Sequence, residues 1–147
     1  MGSEKEAREA RDISEMLLHK TGAALAAGDC KALGKCFRLP FELKTPAGSA
    51  VFKTTEHVRT VFERVTTYHQ SLNITELDRS CLKAEFRDEN TVVATHLSRF
   101  YSEGVLVGAT HTALSVLVRE ESEWRISYCE YVFEDEPTLS RILIEFN

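Results

Sequence analysis

The hydrophobic period of this chain changes near its middle. In the first half, apolar residues recur at helical spacing. Ser3-Glu4-Lys5-Glu6 fits an S-x-x-E capping box, and the Ala-rich run after it puts Ile13, Leu17 and Ala24 near one face before Gly28 stops it. Asp29 then caps a second helix from about Cys30 to Phe37, with Leu33 and Phe37 on one side. Leu39 to Thr45 and Ala50 to Lys53 flank Pro46-Ala47-Gly48-Ser49 as a short hairpin, with Pro40 confined to its start or edge. A third helix opens near Thr54-Thr55-Glu56 and carries the stripe Val58, Val61, Phe62, Val65, Tyr68 and Leu72, the pattern of a helix lying on a sheet.

Beyond Leu72 the pattern becomes that of strands. Asn73 to Arg87 predicts a long strand bulged around Asp78 to Ser80, and Asp88-Glu89-Asn90 turns it into a meander of Val92 to Tyr101, Val105 to Val118 and Trp124 to Phe133. A final segment after Glu136-Pro137, with Leu139, Ile142, Leu143 and Phe146, has helical spacing again. The chain shows no repeat, linker or low-complexity segment, so residues 1–147 read as one α+β domain of mostly antiparallel sheet.

The meander is where function is expected, because ionisable and phenolic side chains interrupt its apolar strands. A two-residue turn at Glu103-Gly104 pairs Tyr101 with Leu106, Leu97 with Thr110, and His96 with His111. A similar turn at Glu121-Ser122 pairs Ile126 with Leu117, Tyr128 with Ser115 and Glu130 with Ala113. One face then gathers His96, Ser98, Phe100, His111, Trp124, Tyr128 and Glu130 around small residues of the middle strand, which describes the wall of a ligand pocket. Slipping the second hairpin by one residue sends Glu130 to the other face. The unslipped register is the one expected, since it keeps Trp124 and Ile126 inside with Leu117. The opposite face, with Val93, Leu97, Leu114, Val116, Tyr131 and Phe133, is also apolar, so both sides of the sheet are expected to be covered.

Composition narrows the classes. Hydrophobic residues make up 43% and charged residues 28%, which is globular. A formal charge of -5 with interspersed signs leaves no basic stripe for nucleic acid and no polybasic run for a membrane surface. No apolar run approaches a membrane span, and the polar start is unlike a signal peptide, so the expected location is cytoplasmic. After Met1-Gly2, Glu6 stands where a myristoylation motif wants Ser or Thr. Cys30, Cys36, Cys81 and Cys129 form no C-x-x-C pair and no zinc-like spacing with His, so they read as reduced structural residues, and no metal or cofactor is expected.

The element order resembles the nuclear transport factor 2-like superfamily, which includes SnoaL-like cyclases and ketosteroid isomerases. Ala27-Gly28-Asp29 at the helix junction, Leu39-Pro40-Phe41, Asp88-Glu89-Asn90-Thr91-Val92, and Val118-Arg119 through Trp124-Arg125-Ile126 carry the resemblance over nearly the whole chain. It implies a helix-lined cone over a strongly curved, cystatin-like sheet, a pocket within the cone, and a homodimer through the sheet's outer face. The SnoaL-like pattern often has His after the Trp-Arg-Ile start, where this chain has Tyr128 and Glu130.

Three functional classes stay open. The first is a domain that binds a hydrophobic small molecule in an apolar conical pocket. The second is an isomerase, cyclase or dehydratase of a hydrophobic carbonyl compound, with Glu130 as base and His96, His111 or Tyr128 polarising, and with Trp124 and Phe100 lining the site. A carboxylate among apolar neighbours answers burial with a raised pKa, the condition for acid–base work near neutrality. The third is an oligomerisation or protein-interaction module with a vestigial cavity.

Overall fold

The structure, a computed structural model, describes residues 3–132 and 137–144. Helix α1 (Glu4–Ala27) starts where the Ser3 hydroxyl accepts from Glu6 N at 3.1 Å and ends at Gly28, whose φ of 69° is open to glycine at little steric cost. Asp29 caps α2 (Cys30–Gly34), accepting from Ala32 N at 3.0 Å. This helix is shorter than expected: Phe37 opens strand β1 (Phe37–Thr45), which pairs with β2 (Gly48–Phe52). Helix α3 (Thr55–Ser71) follows its Thr54 cap and buries Val58, Val61, Phe62 and Val65, the stripe its spacing predicts.

Four long strands follow: β3 (Glu76–Asp88), β4 (Thr91–Ser102), β5 (Val105–Glu120) and β6 (Glu123–Val132). A short helix α4 (Pro137–Ile144) comes after them. The sheet order is β2-β1-β6-β5-β4-β3; β1 and β6 run parallel and the other neighbouring pairs antiparallel. Phe133, Glu136 and Phe146, which enter the sequence reading, lie outside the described residues.

Bulges bend this sheet around the helices. The irregularities of the β3–β4 ladder fall between Cys81 and Lys83 and between Phe86 and Asp88, not at Asp78 to Ser80. Side chains of α1 hold the first of these in place. Arg11 Nη1 donates to Cys81 O at 2.7 Å and Nη2 to Leu82 O at 3.3 Å, while Glu15 Oε1 accepts from Cys81 N at 3.2 Å. An edge strand with free ladder groups invites pairing with another chain, and these contacts occupy the groups that the bulge leaves over.

Helices α1 and α3 cover the sheet's concave face. Leu17, Val61 and Val65 join Phe41, Val92, Leu117 and Ile126 in the main core. Each fully buried side chain of this kind contributes about 1.5–3 kcal/mol of transfer free energy.

A candidate ligand cavity

Side-chain alternation sets the floor of the cone in rows across the strands. Register places Arg79, Ser98 and His111 in one row, Cys81, His96, Ala113 and Tyr131 in the next, and Ala84, Ala94, Ser115 and Cys129 in a third. Above them the apolar sides of α1 and α3 close a cavity of about 170 Å³. Leu17, Leu18, Val61, Phe62 and Val65 form much of its roof, and Leu143 of α4 also reaches it. Its polar lining is Ser14, Thr21, His69, Arg79, His96 and Ser98, with Ser115, Cys129 and Tyr131 nearby on the floor. Among the described residues no Asp or Glu lines it.

The floor groups are held neutral, apart from one. His96 is 4% exposed, and its Nε2 has no hydrogen-bond partner among the described residues. Burial first, and the Arg79 charge second, bring its pKa down to about 4, so the imidazole is uncharged at neutrality. Its ring stands edge-on to Tyr131 at 6.2 Å. Burial likewise raises the Tyr131 phenol and pushes the Cys129 thiol up to about 11, while Cys129 Sγ lies 3.2 Å from Ser115 Oγ. His69 on α3 is also lowered by burial, and it packs against Phe100 at 4.9 Å.

The expected site residues separate. His96 and Phe100 line the cavity. His111 shares the inner face and is 2% exposed, yet it lies behind Phe100, 5.5 Å ring to ring, and does not line the cavity. The two histidines do not face each other: His96 pairs with Ala113 and His111 with Ser98, because β5 carries extra residues opposite Ser98 to Phe100. Leu97 accordingly pairs with Thr112, while Tyr101 keeps Leu106 as expected. Trp124 is not in the cavity; it packs edge-on to Phe86 at 6.2 Å with the Arg119 guanidinium over its ring at 5.5 Å.

Glu130 and Tyr128 point the other way. The Glu121-Ser122 turn forms as expected, with both residues at positive φ, and Ile126 pairs with Leu117. One step later Ser127 is an extra residue in β6, its hydroxyl donating to Val116 O at 3.2 Å. The ladder resumes with Tyr128 opposite Val116 and Glu130 opposite Leu114, so both side chains leave by the outer face. There the Tyr128 hydroxyl donates to Glu130 Oε1 at 2.8 Å, and burial together with that bond pushes the phenol up to about 12. The same slip turns Tyr131 from the outer face into the cavity.

Arg79 is the residue that sequence reasoning passed over. It belongs to the stretch read as a bulge, but its strand is regular there and its parity with Leu77 and Cys81 turns it inward. Its Nη2 donates to Leu18 O and to Thr21 Oγ1, each at 2.6 Å. Gly22 leaves the room: a Cβ there would come within 3.2 Å of that nitrogen.

Among the described residues no group of three or more His, Cys, Asp or Glu is placed to hold a metal ion, and no helix is long and apolar enough to cross a membrane. The sequence matches no family model and no curated protein. Solved structures do match. A nuclear transport factor 2-like protein with a cystatin-like fold from Novosphingobium aromaticivorans superposes with a TM-score of 0.65 at 16% identity, over 94% of this chain and 90% of that one. A nuclear transport factor 2-like protein of unknown function from Shewanella oneidensis gives 0.61 at 11% identity, over 83% and 98% of the two chains. A ketosteroid isomerase-like protein from Erwinia carotovora gives 0.56 at 12%, over 84% and 95%. The chain has the helix-lined, curved-sheet fold of the nuclear transport factor 2-like superfamily.

Proposed function

We propose that this chain is a small-molecule-binding domain whose conical cavity takes up one compact hydrophobic molecule. The observation that supports this most is the cavity itself. Its walls are mostly aliphatic and aromatic, and a few polar groups converge on one floor, which is the usual composition of a ligand site. Its volume of about 170 Å³ restricts the ligand to roughly one ring, since a dry cavity of about 150 Å³ in another protein holds benzene.

Catalysis of the isomerase, cyclase or dehydratase type has less to support it here, even though some structural neighbours are described as ketosteroid isomerases or ketosteroid isomerase-like. The carboxylate expected as base is on the outer face, and a histidine with a pKa of about 4 is a weak base at neutrality. A vestigial cavity in an oligomerisation module is disfavoured by the unfilled space. Dimerisation is compatible with binding: Val93, Leu97, Leu114 and Val116 leave an apolar strip on the outer sheet face, suited to a second copy of the chain.

Toluene is a suitable neutral probe. In methyl-detected NMR it should shift the signals of Leu17, Val61 and Val65 with saturable, one-to-one binding. Ser98→Leu, which adds a side chain to the wall, should abolish those shifts. Shifts that persist in Ser98→Leu would place the binding outside the cavity and overturn this reading.

A further inference from the structure

Among the described residues, the cavity holds one formal charge with no anion to answer it. Arg79 extends its guanidinium over the floor, where Nη2 is fixed by an α1 carbonyl and a hydroxyl, both uncharged. It forms no salt bridge among the described residues. The ionisable groups that face it are neutral: His96 across the neighbouring row, Cys129 and Tyr131 of β6, and Cys36 just before β1. An arginine stays protonated in such surroundings, and a cation taken out of bulk water requires an anion or a set of hydrogen-bond acceptors to offset its desolvation. Two neutral acceptors on one nitrogen satisfy a minor part of a five-donor fork.

A second group in the same place also lacks a partner. His96 Nε2 is buried and unbonded among the described residues, and buried polar atoms of this kind are uncommon in folded proteins. The imidazole lies near enough to Arg79 for the guanidinium charge to act on it. In the tautomer protonated at Nε2 it offers a neutral donor beside a cationic one. Leu17, Val61, Phe62 and Val65 supply an apolar wall over both.

We infer that the ligand is a compact monocarboxylate, about the size of benzoate, whose carboxylate meets the free donors of Arg79 and Nε2 of His96 while its hydrocarbon part fills the space under α1 and α3. The assignment rests on the binding role proposed above and adds the chemical class of the ligand. A planar carboxylate matches the guanidinium fork, and a charge-assisted pair is stronger beside apolar walls than in bulk water. A neutral ligand of the same shape would leave the cation as it is. Specificity for the acid then comes from Arg79, and Gly22 serves it by keeping α1 clear of Nη2.

Calorimetric titration of the full chain at neutral pH with benzoate, its neutral counterpart benzamide, and toluene tests this. Benzoate should bind about ten- to a hundredfold more tightly than benzamide, the range expected for hydrogen bonds to a buried charge. Arg79→Met should remove that preference by weakening benzoate alone. The variant should fold, because Thr21 Oγ1 retains its bonds to Leu17 O and Leu18 O. Gly22→Ala provides a second variant on a helix that alanine favours; by crowding Nη2 it should weaken benzoate while sparing toluene. Equal binding of benzoate and benzamide with toluene still entering would overturn the acid assignment and leave the binding role standing. A benzoate preference that survives both substitutions would also overturn it, since the anion would then sit elsewhere. Failure of all three probes to bind would remove the binding role itself.

Discussion

Acid should destabilise this fold through His96, in a range where most proteins are still near their most stable. In an unfolded chain its imidazole titrates near 6.5, whereas in the folded protein burial and the neighbouring Arg79 hold the pKa at about 4. Between those values the unfolded chain binds a proton that the folded chain refuses, so stability falls as pH falls through the window. Among the described residues, the titratable and charged groups facing the imidazole are Arg79 and Cys81 from β3, Cys129 and Tyr131 from β6, and His69 from α3 across the cavity. None is an acid that would support the protonated form. Lowering a pKa from 6.5 to about 4 corresponds to about 3 kcal/mol, nearly all of it lost by pH 4. His69, also lowered by burial, adds to the loss in the same direction. Urea unfolding of the native chain and His96→Gln, compared at several pH values from about 7 to 4, isolates the effect, because other groups titrate alike in both. The gap between the two stability curves should change by about 3 kcal/mol across that window, the substituted chain losing less. Parallel curves within about 0.5 kcal/mol would show that His96 is protonated in the fold or has a partner for its charge.

Two further outcomes follow from the outer face of the sheet. Glu130→Gln and Tyr128→Phe should leave probe binding in the cavity unchanged within about twofold and cost at most about 1 kcal/mol of stability, the net value of one hydrogen bond; a tenfold or larger loss of binding in calorimetry would mean that their strand presents the opposite face. Light scattering on the eluting protein should give twice the chain mass of 16.6 kDa. Leu114→Glu, at a position 39% exposed in the isolated chain, should halve that mass, and a native monomer at micromolar concentration or a dimer indifferent to the substitution would refute pairing through this face.

Local chemistry made most of the fold legible, and the site was lost at the places where local chemistry is silent. Caps at Ser3, Asp29 and Thr54 and the α3 stripe act within a few residues, so their outcome is written nearby. Both meander turns also form where their residues and loop lengths place them. Pairing beyond a turn depends on every later residue staying in step. Gly108, at a φ of 70°, lies in the irregular part of β5, a position where an interior glycine signals a bulge. The offset there is even, so His96 and His111 keep the expected face and lose only their direct pairing. At Ser127 it is a single residue, so every side chain after it changes face.

Nothing local to Ser127 announces that slip, yet desolvation favours its result. The unslipped register buries the Glu130 carboxylate inside the cone, where even a pairing with Arg79 would take two charges out of water, and turns Tyr131 out. The observed register lets Glu130 take the Tyr128 hydroxyl on the outer face and brings Cys129 and Tyr131 in as neutral groups. Arg79 was hidden for another reason. Read along its own strand, Asp78-Arg79-Ser80 is a polar interruption, and its inward turn gains meaning only from Leu18 and Thr21, some sixty positions earlier in the chain. The cation that defines the floor of the cavity is thus specified by helix–sheet docking, which no periodicity within a strand encodes. A site built in this way has no short motif, and it emerges only when helix α1 is seen resting on strand β3.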